Sequence, residues 1–234
     1  QTGIYSASFR FVSAFGFLAI GFTSAIFPLL AKKKIEDGSS AVLNAYKKTE
    51  KYLLVISLFV SIVFMTAGGG LIKFVYGENF TDSILPLMIM AFTPVFTFLN
   101  TGNSFLFFSL DREKTYLKLL IATLVFTVII NLILIPLWGY IGASVTTILP
   151  PLFFFILQVF AVRRIYGKKT YSFAVKPFFA AVAAFGAGYA LRGHCHVVID
   201  VFTIFCVYSA AILLSGVIGK DEINILKSFF AAEK

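Results

Sequence analysis

Charged residues punctuate this chain at wide intervals, and the stretches between them are apolar runs of membrane length. Phe11–Ala31 carries no charge, with Arg10 just before it. Leu53–Ile72 and Ser83–Leu110 are two more such runs, and Leu119–Val162 continues for 44 residues without a charge. A helix needs about 20 apolar residues to cross the hydrocarbon core, so this last run holds two helices. IPLWG (Ile135–Gly139) divides them: Pro136 has no amide hydrogen to donate, and Gly139 permits a sharp turn. Pro177–Leu191, beginning near Tyr171, and Val201–Gly219 complete the set. The pattern predicts seven spans, near residues 4–31, 51–76, 83–110, 115–136, 139–162, 171–191 and 198–219, with tight turns at Tyr76–Asp82 and Leu137–Tyr140. Strands are excluded because the runs lack alternation and an open sheet in lipid leaves backbone groups unpaired. The predicted fold class is all-α, a polytopic transmembrane helix bundle.

Charge tests this reading independently. With seven alternating spans, seventeen of the twenty basic residues fall on one side, leaving Lys73, Arg192 and Arg10 on or near the other. The positive-inside rule assigns the basic side to the cytoplasm, with the N-terminus outside and the C-terminus inside. The net charge of +9 is thus spread over short loops, which excludes nucleic acid as the partner. Composition agrees: 59% of residues are hydrophobic and 13% charged, with mean hydropathy +0.92, against about 45–50% and 25% in soluble domains. Lipid is the solvent this surface calls for. Ile35–Tyr52 and Asp221–Phe230 mix apolar and charged positions and read as helices lying at the cytoplasmic headgroups, the second within a tail at 220–234. The chain begins at Gln1, without Met or a charged leader, and reads as part of a longer protein.

Candidate chemistry is sparse. There is no paired-acid motif, GxSxG, HExxH or P-loop, and the few acids read as lying in loops or at helix ends, so no enzyme and no cofactor is expected. His194, Cys195 and His196 are adjacent, and three ligands this close do not converge on one ion without an unusual turn, so no metal site is expected. Cys206 lies inside a span, out of disulfide reach of Cys195. Asn79-Phe80-Thr81 is a sequon in an outer loop. Arg10 borders the first span and faces a polar cavity or snorkels to the interface. Asn100 and Asn103, three apart, share a helix face; they and the buried amides Asn131 and Gln158 line a polar path or bond neighbouring helices. Gly68, Gly69 and Gly70 weaken the second span, Pro86 and Pro94 kink the third, and the small residues of Ala180–Ala190 predict close helix packing.

Three motifs carry a family resemblance. GIYSASFRF (Gly3–Phe11) with FPLLA (Phe27–Ala31), VYGENF (Val75–Phe80) and NLILIPLWGYIGASVTTI (Asn131–Ile148) resemble, in order and spacing, segments of the polysaccharide and O-antigen lipid-linked oligosaccharide flippases. That family shares a superfamily with lipid II flippases and multidrug exporters of the MATE type. The resemblance covers essentially this whole chain but only the C-terminal half of a member. It implies one lobe of a MATE-like two-lobe transporter whose N-terminal lobe is a partner missing here. It implies a bacterial inner membrane location and an undecaprenyl-pyrophosphate-linked oligosaccharide substrate, flipped outward by alternating access for surface polysaccharide synthesis. Arg10, Asn100 and Asn103 are the candidate substrate-binding residues.

Other readings are a cation-coupled multidrug exporter of the same superfamily, a polytopic glycan polymerase or ligase, and a seven-span receptor. Against these stand the lack of a visible intramembrane acid, the short outer loops and the absence of receptor motifs.

Overall fold

The computed structural model describes residues 2–167, 174–191 and 197–217. Among these the chain is all-α: α1 (Thr2–Thr66), α2 (Gly68–Tyr76), a 3-10 turn (Glu78–Ser83), α3 (Ile84–Met90), α4 (Thr93–Ser109), α5 (Glu113–Tyr166), α6 (Val175–Leu191) and α7 (Val197–Leu214). Among the described residues, four helices are long and apolar enough to cross a membrane, or five if the bent pair ending in α4 is one span.

Two of these helical runs double back on themselves. A straight helix would set Phe15 and Phe64 about 74 Å apart, yet their rings meet edge-on with centroids 5.4 Å apart. Val12 packs with Val60 and Phe64, and Ala19 with Leu53, so α1 is two antiparallel arms, Thr2–Gly21 and Val42–Thr66, reversing between Ala19 and Leu53. Likewise Phe126 and Phe153, about 40 Å apart along a straight helix, stack at 4.3 Å. Here the reversal is at Gly139, whose φ of 56° and ψ of −130° interrupt the helix inside the predicted Leu137–Tyr140 turn. That conformation is open to glycine and strained for residues with a Cβ. The two arms of α5 cross closely, since a Cβ on Gly142 would collide with the Leu134 carbonyl.

The segment Tyr76–Asp82 turns through Gly77 (φ 82°) and the 3-10 turn, with Lys73 and Glu78 paired at 2.9 Å. The third predicted span is bent by 43° at Ala91–Phe92, where Pro94 in the first turn of α4 supplies no amide hydrogen for the carbonyl one turn earlier. Ala180, Ala181 and Ala184 of α6 are buried against α1 and α7, the close packing expected of that small-residue stretch. Outward, the first arm of α5 exposes Leu117, Leu120, Ile121, Leu124, Val128 and Leu132. So wide an apolar face is compatible with a lipid environment.

Basic residues collect at one end of the bundle. Lys51 Nζ donates to the Val217 carbonyl at 2.9 Å, and Val42, Tyr46, Leu106, Phe107 and Val162 pack together nearby. Lys47, Lys48, Arg112, Arg163 and Arg164 belong to these same helix ends, whereas Arg10, Lys73 and the Gly139 turn lie at the other.

The interfacial helix expected at Ile35–Tyr52 is corrected for residues 42–52. They continue the second arm of α1, with Val42, Tyr46, Thr49 and Glu50 buried. The apolar positions that suggested a membrane-surface helix find protein partners on α4 and α5 instead. The tail at 220–234 and the His194–Cys195–His196 cluster lie outside the described residues.

Candidate functional site

A groove lined by hydroxyl and amide side chains runs along α4. Thr93, Thr97, Thr101 and Ser104 recur at helical spacing, so they form one stripe. Thr97, Thr101 and Ser104 line a groove of about 460 Å³ with Asn100, Thr123 and Pro151. Thr97 and Pro151 also line an adjoining cavity of about 250 Å³ with Ser13, Gly16 and Thr147, so the two form one path between α4, α5 and the first arm of α1. Among the described residues, no charged side chain lines either cavity.

The hydroxyls are partly spoken for. Thr101 Oγ1 donates to the Thr97 carbonyl at 2.8 Å and Ser104 Oγ to the Asn100 carbonyl at 2.7 Å. On α5, Thr123 and Thr147 donate to carbonyls four residues back. Such back-bonding uses the proton and leaves the oxygen lone pairs as acceptors. Asn100 Nδ2 donates to the Pro151 carbonyl at 2.8 Å, tying α4 to α5 along the groove wall. The Tyr5 hydroxyl and Thr147 Oγ1, 2.9 Å apart, join the first arm of α1 to α5. The path is therefore acceptor-rich, uncharged and framed by three helices.

The three predicted site residues go to three places. Asn100 is on the groove. Asn103 is fully buried, and its Oδ1 accepts a 2.6 Å hydrogen bond from the Tyr46 hydroxyl, facing the second arm of α1. Arg10 is exposed and lines a separate cavity of about 200 Å³ with Ser6, Ala7, Tyr76 and Phe80 at the less basic end. The groove receives Ser13 and Gly16 from the same arm, not Arg10.

A residue missed by sequence reasoning is Glu50. The acids were placed in loops and at helix ends; Glu50 is instead inside the bundle, 0% exposed, with no hydrogen-bond partner on either carboxyl oxygen. Its carboxyl sits over Gly102, where an added Cβ would collide with it. The signal was present in Val42, Tyr46, Glu50, Leu53 and Ser57, which recur at helical spacing on one face, while Lys47, Lys48 and Lys51 point elsewhere. Among the described residues no group of His, Cys, Asp and Glu is placed to hold a metal ion.

Comparison of the chain with protein-family models, with curated proteins and with solved structures returns no match.

Proposed function

We propose that this chain is one membrane-embedded lobe of a carrier that flips an undecaprenyl-pyrophosphate-linked oligosaccharide across the bacterial inner membrane by alternating access. The observation that carries the reading is the uncharged, hydroxyl- and amide-lined groove along α4, set among helices of membrane length. Glycan hydroxyls donate well to such acceptors, and the neighbouring apolar faces suit a polyprenyl chain. The bend before α4 and the glycine-bearing turn at Gly139 supply places where rigid segments can pivot. The flippase-like motifs agree with this assignment, and Arg10 would meet the pyrophosphate near the outer mouth. A second lobe completes the cavity in this scheme, so the chain expressed alone should insert without transporting.

The test is restoration of surface glycan in a flippase-null strain by the two-lobed protein. Leucine replacing Thr97, Thr101 and Ser104 should abolish export while membrane insertion persists. Normal export in that triple variant removes the groove from the substrate path. Restoration by this chain alone would replace the one-lobe scheme with a homodimer. The cation-coupled exporter remains the second reading, and the specific observation favouring it is a buried acid, Glu50.

A further inference from the structure

Glu50 belongs to a layer whose members come from three helices. Val42, Tyr46, Leu106, Phe107 and Val162 pack together at the basic end. One turn farther from that end come Glu50 on α1, Gly102 and Asn103 on α4, and Gln158 on α5. Glu50, Asn103 and Gln158 are all 0% exposed, and Tyr46 is 1% exposed. Both carboxyl oxygens of Glu50 and both amide atoms of Gln158 lack hydrogen-bond partners. Two polar groups buried with their bonding capacity unused form an unusual arrangement, because buried polar groups in native structures are nearly always paired.

Among the described residues, none pairs a counter-charge with Glu50. On its own helix, Tyr46 donates to Asn103; Lys47 is half-buried, Lys48 is exposed, and Lys51 donates to the Val217 carbonyl. α4 contains no titratable residue. On α5, Arg163 and Arg164 are exposed, Tyr116 packs on Phe107, Phe108 and Phe154, and Tyr166 lies one turn beyond Val162. An isolated carboxylate buried without a partner is costly.

We propose that Glu50 is a proton-binding site of this lobe, closed when the second arm of α1 and α4 are in contact and discharged when they part. Gly102 makes the closed state possible, since only the absence of a side chain there leaves room for the carboxyl. On separation, Glu50 releases its proton to water at the basic end, and the carboxylate gains solvent. Return of the helices requires the proton to be taken up again. One proton is released on opening and one bound on closing, with no other reactant. As a device for driving transport this rests on the carrier reading; as a binding site it does not.

The experiment is infrared difference spectroscopy of the chain in lipid nanodiscs, comparing wild type with Glu50→Gln, which keeps the side-chain volume. The expected result is a protonated-carboxyl C=O band at neutral pH that is absent from Glu50→Gln, disappears as pH is raised and is indifferent to sodium. Tyr46→Phe should retain the band with a displaced titration midpoint, a check that does not depend on how well Glu50→Gln folds. Absence of the band from wild type at neutral pH overturns the proposal. Its loss on adding sodium at constant pH also does so, by making the site a metal-cation site. Failure of the flippase assignment appears separately, as failed glycan export by the two-lobed protein, and leaves the infrared result intact.

Discussion

Gly102→Ala offers a sharp test of the packing around Glu50. The new Cβ would lie 2.9 Å from Leu53 Cδ1 and 3.0 Å from Glu50 Cδ, with Glu50 Oε1 nearer still. Leu53 and Glu50 are both fully buried and have nowhere to swing. Overpacking a close-packed interior costs about 1–3 kcal/mol. Alanine returns about 1 kcal/mol through helix propensity, so the net loss is roughly 0–2 kcal/mol. In a Glu50→Ala background the carboxyl is gone and Leu53 can move into the vacated space, so the same substitution should stabilise by about 1 kcal/mol. The coupling between the two sites is then about 1–3 kcal/mol, or a difference of roughly 2–12 °C in the effect on Tm at 2–4 °C per kcal/mol. The assay is the midpoint of helicity loss in mild detergent for wild type, both single variants and the double variant. Gly186→Ala, with nothing within 4 Å of its Cβ position, is the clash-free control and should show that gain of about 1 kcal/mol. If Gly102→Ala has the same effect with and without Glu50, the carboxyl does not occupy that space and the layer described here is wrong.

Two further outcomes follow from the Gly139 turn and from Arg10. Gly139→Ala places a Cβ in a strained backbone region and should cost about 1–3 kcal/mol, read as a lower Tm than Gly186→Ala; equal midpoints would mean the α5 reversal is made differently. On the carrier reading, Arg10→Ala in the two-lobed protein should reduce glycan export with insertion unchanged, and normal export would leave Arg10 as an interfacial anchor.

Much of the architecture was already determined by local chemistry. The uncharged runs dictated helices because a backbone in lipid must pair its own polar groups. Pro136 and Gly139 dictated a reversal because one lacks a donor and the other tolerates positive φ. The bend before α4 was similarly written in Pro94, and the close seating of α6 in its alanines. Which polar residues share a site was not local. Asn100 and Asn103 are three apart on one helix, yet one turns to Pro151 and the other to Tyr46, because α4 lies between α5 and the second arm of α1. Glu50 stands among lysines in the sequence, and that neighbourhood suggested a helix lying at the membrane surface. Only the packing of Val42–Thr66 along α4 decided that the lysines leave the bundle while the carboxyl enters it. Periodicity could place Glu50 on a face, but the space above Gly102 that receives it exists only once the two helices meet.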